Sequence, residues 1–280
     1  MTKTYNHANM FLIMPSICEG RLTLETGVSV STTDQSAKTA VYFTPHIGTN
    51  VSLYDGNEWN MFTFGELTLS ISGYTADTNF DIFIYDNSGT LTLESTAWTN
   101  DTTRATALTT QDGVYVKSGA TTRRYLGTIR TTGTTGQCED TEDRRFVWNY
   151  YNQTRRKMES KLGSGTSSHT YTTTAWRAYY NSTTVGTSRN EFVIGLDQFT
   201  RTDMMASFRY GYISFAYDSA TVPLVGDISS TDGNTAVLNS HAYFGSKILA
   251  DGYHYVQALQ YGVTTHGLFH YMTMETHILC

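Results

Sequence analysis

The chain has 280 residues, a formal net charge of −6, only 16% charged residues, and no stretch approaching the ~20 apolar residues of a membrane span. That balance argues against a nucleic-acid partner, whose binding needs clustered Lys and Arg, and against membrane insertion. A chain of this length buries a sizeable core without disulfides or a structural metal.

Roughly one residue in six is Thr, and 20 Tyr bring the aromatics to 13%. Both types suit a pleated, half-buried surface, so the composition favours sheet over helix. With 3 Pro against 23 Gly, turns fall to Gly, Asn and Asp. Cys18, Cys138 and Cys280 have no metal-site spacing and fit a reducing compartment during folding.

In chain order, residues 1–20 read as an attachment arm with one apolar patch, MFLIMP. It has no secretion-signal pattern. RLTLETGVSV offers two short alternating runs around Gly27. VSLYDGNEWNMFTF (51–64) predicts a hairpin turning at Asp55–Gly56, and LTLSISG a further strand. FDIFIYDNSGTLTLE predicts a hairpin with Phe80, Ile82 and Ile84 on one face and Phe83 and Tyr85 on the other, turning at Asn87–Ser88–Gly89. QDGVYVKSGATTRRYLGTIRTT predicts a third, with Gly119 in its turn.

Residues 131–143 are almost without apolar side chains and read as an exposed loop. RRFVWNYYNQTRRKM then fits either a strand or a short helix. Strand patterns return in TAWRAYYN, NEFVIGLD, MMASFRYGYISFAYD, TAVLN, HAYFGSKIL, YHYVQALQYG and GLFHYMTME. No helical periodicity runs to twelve residues, and no fixed repeat marks a solenoid. The expectation is an all-β chain of antiparallel sandwich or jelly-roll-like lobes with few or no long helices. Its divisions are an arm at 1–20, a first lobe at 21–157 and a second at 158–280.

No residue set meets the requirements of catalysis, a cofactor or a metal. His266 and His270 have the i, i+4 spacing of a helical zinc pair, but THGLFHYMTM alternates like a strand and lacks the HExxH glutamate. Glu139, Asp140, Glu142 and Asp143 lack the order of a calcium loop and predict a solvated, metal-free segment. Asp81, Asp86, Glu94 and Asp101 supply carboxylates of the kind glycoside cleavage requires, without evidence of pairing. Trp176, Tyr179 and Tyr180, and Tyr253, His254 and Tyr255, are aromatic clusters able to serve as core, interface or sugar platform.

The segments YFTPHIGTNVSLYDGNEW, SGYTADTNFDIFIYDNSGTLTLE and AWTNDTTRATALTTQDGVYVKSGATTRRYLGTIRTTGTTGQCEDTEDRRFVWNYYNQTRR resemble a recurrent module of tailed-bacteriophage tail-fibre and virion-associated proteins. The likeness is dense from about Arg21 to Arg156 and looser beyond, while GLFHYMTMETHILC departs from it. It implies a β-structured virion component, homotrimeric, and brings no functional residues. The functional expectation is a non-enzymatic tail-fibre or adhesin-type protein. It would be joined to other virion proteins through its arm and would contact a host-surface glycan. Capsid decoration and glycan depolymerisation are the alternatives. A trimer also suits the chain's many strand edges, which sparse charge does little to guard.

Overall fold

The computed structural model describes residues 14–163, 168–224, 229–231, 239–263 and 267–280. The chain is all-β: its described helical residues are the single turns Met14–Ser16 and Tyr179–Asn181. It divides into two compact units. The first comprises Met1–Asp140, Phe146–Thr154 and Cys280; the second comprises Thr141–Arg145 and Arg155–Leu279.

The first unit is built on a seven-stranded sheet. Its order is Leu108–Gln111, Val114–Lys117, Ala120–Arg130, Asn79–Asn87, Thr90–Asn100 and Thr103–Arg104, with Val147–Asn149 also paired to Ala120–Arg130. Two of its hairpins close through two-residue turns with both central residues at positive φ: Ser88–Gly89 (53° and 92°) and Asp112–Gly113 (50° and 81°). That geometry matches the right-handed strand twist and favours Gly in the second place. The inward Gly127 lies on Ala120–Arg130 where a Cβ would collide with the Trp148 carbonyl, so the strand pairing there depends on a missing side chain. A three-stranded sheet (Gly20–Thr23, Ala40–Pro45, Leu67–Ser70) and the hairpin Asn50–Tyr54/Trp59–Thr63 complete most of the unit.

Of the expected arm, residues 1–13 lie outside the described residues. Residues 14–20 belong to the first unit: Cys18 bridges Val51, and Gly20 begins a strand. The buried Arg124 guanidinium holds the turn before them, donating to the carbonyls of Pro15 at 2.8 Å and Ser16 at 3.3 Å, and to Ser52 at 2.7 Å.

The second unit is a sandwich. One layer contains Arg189–Ile194, Gly252–Gly262, Gly211–Tyr217 and Ser229–Thr231, with Trp176–Ala178 beside Gly252–Gly262 and Arg144–Arg145 parallel to Arg189–Ile194. The other has the order Arg155–Leu162, Leu268–Leu279, Gln198–Arg209, Asn239–Leu249, with His169–Thr170 on Leu268–Leu279. Alternate residues point inward, and Phe208 and Phe269 stack with centroids 5.8 Å apart. A buried polar chain crosses between the layers. Ser160 Oγ donates to Asn190 Oδ1 (2.5 Å), Asn190 Nδ2 donates to Thr276 Oγ1 (3.3 Å), and Thr202 Oγ1 bonds both Thr276 Oγ1 and Tyr217 OH (3.1 Å each).

Three local expectations are corrected. The run after Gly27 forms no strand; its turn is instead tied by the Glu66 carboxylate, which accepts from Thr26 Oγ1 and the Gly27 amide. MMASFRYGYISFAYD is two strands in different layers, because Tyr210 adopts φ +52° and turns the chain. The segment 131–143 is not an exposed loop: Thr131, Thr132, Gly136 and Cys138 are buried, and Cys138–Asp140 pairs with Gln35–Lys38. Thr hydroxyls answer the backbone there, Thr131 Oγ1 accepting from the Thr78 amide and donating to the Thr75 carbonyl, so a polar segment can pack. Of the two readings open for RRFVWNYYNQTRRKM, the structure has strand: it holds Arg144–Arg145, Val147–Asn149 and the start of Arg155–Leu162.

Candidate functional site

Two hairpins of the first unit bring polar side chains to one cleft of about 560 Å³, lined by Leu53, Tyr54, Asp55, Asn60, Met61, Phe62, Asp86, Thr122 and Arg123. Asn50–Tyr54 and Trp59–Thr63 supply one side through the turn at Asp55–Gly56, where Gly56 takes φ +110°. Asp86 comes from the end of Asn79–Asn87, and Thr122 and Arg123 from Ala120–Arg130.

The groups are fixed before any ligand arrives. Asp55 Oδ1 accepts from the amides of Asn57 (2.8 Å) and Glu58 (2.9 Å), and Oδ2 accepts from Asn60 Nδ2 (2.9 Å). The Glu58 and Asn57 amides hold the Asp55 carboxyl below the ordinary range, so it stays ionised and is a poor proton donor. Asp86 Oδ1 accepts from the Gly89 amide at 2.8 Å. Arg123 lies over the Tyr85 ring at 4.0 Å, donates from Nη1 to Thr122 Oγ1 (2.7 Å) and from Nε to Glu94 Oε2 (3.3 Å). Beside this polar set, Met61 is half exposed. Carboxylate, amide and guanidinium groups form paired hydrogen bonds, and the adjoining Met61 and Phe62 offer an apolar wall.

The carboxylates singled out in the sequence are not gathered into an acid–base pair. Asp81 is buried against Arg104, and Asp101 bonds Arg130 at 2.7 Å. Glu94 is pushed up by burial, but Lys117 and Arg123 outweigh that and hold it below its usual value. Only Asp86 reaches the cleft. Glu139 and Asp140 are half-buried in a strand of the first unit, and Asp143, in the second, accepts from Thr141 Oγ1; of the four acidic residues only Glu142 is exposed, correcting the expectation of a fully solvated segment. Among the described residues no group of three or more His, Cys, Asp or Glu is placed to hold a metal. His266 lies outside the described residues, and His270 sits on Leu268–Leu279 with both ring nitrogens unpartnered.

The aromatic clusters divide. Tyr179 is fully buried core against Phe269 and His169. Trp176 is half-buried beside Tyr261, its ring tilted 56° to that neighbour, so the two make no flat platform. His254 is buried, bonded to Asp218 at 2.8 Å and the Ala250 carbonyl at 2.9 Å. The cleft residues Asp55, Asn60, Phe62 and Arg123 carried no functional signal in the sequence. Asp55–Gly56 reads as a turn, and its link to Asp86 and Arg123 exists only in the fold.

No protein-family model matches the chain, and no curated protein matches it significantly. Solved structures give distant matches. A Cry1Da tryptic core variant of Bacillus thuringiensis is 11% identical, with a TM-score of 0.27 over 87% of this chain and 48% of its own. The insecticidal delta-endotoxin Cry8Ea1, also of Bacillus thuringiensis, is 9% identical (TM-score 0.28; 97% and 55% covered). A β-porphyranase of glycoside hydrolase family 86 from Bacteroides plebeius is 9% identical (TM-score 0.23; 90% and 38%). The chain thus spans about half or less of these proteins, and at such scores the likeness carries no argument about function.

Proposed function

We propose that this chain is a non-enzymatic structural component of a phage particle, of tail-fibre or adhesin type, and that the cleft of its first unit holds a hydroxyl-rich host-surface glycan. The particle assignment rests on the sequence resemblance, dense from about Arg21 to Arg156. The binding assignment rests on the cleft, where Asp55, Asp86, Asn60 and Arg123 converge beside Phe62 and Met61. A sugar presents adjacent hydroxyls that both donate and accept, with an apolar C–H face between them. Planar carboxylate, amide and guanidinium groups meet the hydroxyls, and the apolar wall meets the C–H face. Pre-positioning by backbone amides lowers the ordering cost of binding. Binding is favoured over cleavage because Asp55 is held ionised, whereas hydrolysis needs a carboxyl kept protonated near neutrality.

The test is retention of the purified full-length chain on polysaccharide isolated from the host cell surface, with reducing ends assayed in the same tubes. Saturable binding, weakened at least about tenfold in Arg123→Ala and Asn60→Ala, with no reducing ends released, is the expected result. Absence of binding, binding indifferent to both substitutions, or release of reducing ends overturns the proposal.

A further inference from the structure

The outward face of the second unit's four-stranded layer carries an ordered charge pattern. Arg201 opposes His277, and His277 opposes Lys157, so three nitrogen-bearing side chains form one row across the strands. The next row is acidic: Asp203 opposes Glu275, and Glu275 opposes Glu159. The rows flanking this pair are apolar at the Gln198–Arg209 strand. Phe199 opposes Ile248 on one side, and Met205 stands on the other. Phe244 extends the acidic row on the edge strand Asn239–Leu249.

This face is unusually greasy for open solvent. Of the eight exposed large apolar side chains among the described residues, five belong to it: Phe199, Met205, Phe244, Ile248 and Leu279. Phe244 and Ile248 are 71% and 69% exposed. A concentration of this kind marks an interaction surface. Lys247 is the only formally charged residue of the 11-residue edge strand, so little guards that edge.

We propose that the face binds a second copy of itself through an isologous two-fold contact. A two-fold axis lying in the plane of the face, between the Arg201 row and the Asp203 row and parallel to them, exchanges the rows. Arg201 then meets Asp203 of the partner subunit, Lys157 meets Glu159 of the partner subunit, and the reciprocal contacts follow from symmetry. The same operation lays Met205 of the partner subunit against Phe199. Phe199 borders a depression of about 350 Å³ also lined by Arg155, Arg201, His277, Ile278 and Leu279. Within one chain Arg201 pairs with Asp203 at 3.0 Å and Lys157 with Glu159 at 2.8 Å. The two-fold therefore sets the Arg201–Asp203 pair against its copy as four charges with no net charge, which reduces the cost of burying it. Lys157 and Glu159 belong to a wider network, with Lys161 2.5 Å from Glu159 and Glu275 3.6 Å from Lys157.

Four strands about 4.8 Å apart and four rows about 7 Å apart make a face of roughly 500 Å² per copy. The total of about 1,000 Å² lies at the lower edge of specific interfaces, so the contact is concentration-dependent. It pairs chains in twos, unlike the threefold assembly that the sequence suggests, and it is independent of the glycan cleft.

The test is sedimentation of the full chain across a wide concentration range. Wild type should pass from one-chain to two-chain mass. Arg201→Glu and Asp203→Arg, both exposed or half-exposed positions, should each weaken self-association roughly tenfold or more. An equimolar mixture of the two variants should regain the two-chain mass, because each supplies the sign that the other lacks. Restoration by mixing cannot arise from loss of the pair inside one chain, and circular dichroism verifies that both variants are folded. A one-chain mass at every concentration, a three-chain mass, or failure of the mixture to associate overturns the proposal. So does loss of the two-chain mass on deletion of residues 1–13, which would assign the contact to that segment.

Discussion

Arg104 donates to both oxygens of Asp81, from Nε at 2.7 Å and from Nη2 at 3.3 Å, with the carboxylate side chain only 2% exposed. Thr128 Oγ1 donates to the same carboxylate at 2.7 Å, and the Trp98 ring lies 4.2 Å below the guanidinium. Burial pushes the Asp81 carboxyl up, and Arg104 pulls against it. A carboxylate that reads in the sequence as a candidate for sugar cleavage is therefore a buried tie that reaches across Thr90–Asn100 from Asn79–Asn87 to Thr103–Arg104, with Thr128 holding it from the strand on the other side.

Removing the cation should expose how much the tie matters. Arg104→Ala leaves a buried carboxylate without its partner and should cost about 3–5 kcal/mol in urea unfolding. Arg104→Lys should recover only part of this, since an ammonium lacks the bidentate fork and the flat stack on Trp98. Replacing the pair by Asp81→Leu with Arg104→Met should cost less than Arg104→Ala alone. If Arg104→Ala unfolds like wild type, the pair contributes nothing.

Asn190 plays the corresponding part between the layers of the second unit, where it links Ser160 to Thr276 without solvent. Asn190→Ala should break the bonds to Ser160 and Thr276, which keep the Arg189 carbonyl and Thr202 Oγ1 as partners, and cost about 1 kcal/mol, lowering the melting temperature of the second unit. Asn190→Leu should do no better, because an apolar side chain replaces neither bond and adds volume to a packed layer. A melting curve superimposable on wild type in both variants would show that the remaining partners suffice.

The strands and hairpins were legible because alternation and turn chemistry are local. Ile82 and Ile84 face one side and Phe83 the other, and the Asp55–Gly56 and Ser88–Gly89 turns lie where the strand pattern breaks. Asp112–Gly113 carries the same signal and closes a hairpin that the alternation around it did not suggest. The run from Met204 misled because its alternation continues through Tyr210, and only the positive φ there marks the change of layer. The 131–143 segment misled because apolar content is a poor guide where Thr hydroxyls satisfy the backbone. The cleft was illegible for a different reason. Asp55, Asp86 and Arg123 are far apart in sequence and meet through the pairing of separate hairpins, which no local pattern encodes.

The cysteines offer a direct probe of opening in the first unit. Cys18, Cys138 and Cys280 are buried thiols outside any disulfide. Burial pushes the Cys18 thiol up to about 11, and pushes Cys138 higher still. Thiolate is the reactive form, so a native chain at pH 8 should label negligibly with an aromatic disulfide reagent and release three equivalents once unfolded in guanidinium. Labelling of Cys18 or Cys138 in native protein at the rate of a free thiol would show that the first unit opens far more readily than its packing implies.

Acid should loosen the second unit well before its carboxylates protonate. Burial lowers the His169 imidazole to about 4, aided by the Arg177 charge. The geometry agrees: Gln260 Oε1 accepts from the Tyr180 amide at 3.0 Å, which turns its Nε2 toward His169 Nε2 at 2.8 Å, a contact that requires an unprotonated ring nitrogen. Burial also lowers His270 and His277, aided by Arg209 and Arg155 respectively. In the unfolded chain these rings protonate near pH 6.5, whereas in the folded chain they stay neutral to lower pH. Between about pH 6.5 and 4 the unfolded state therefore binds more protons, and stability falls as pH falls through that window. Above about pH 7 both states are neutral and the contribution is complete. Thermal melts should show a plateau above pH 7 and a decline from pH 6.5 to 5, and His169→Gln should flatten that decline while leaving the plateau in place. A melting temperature that rises on acidification to pH 5, or a His169→Gln profile as steep as wild type, would mean that protonated His169 is accommodated in the folded chain.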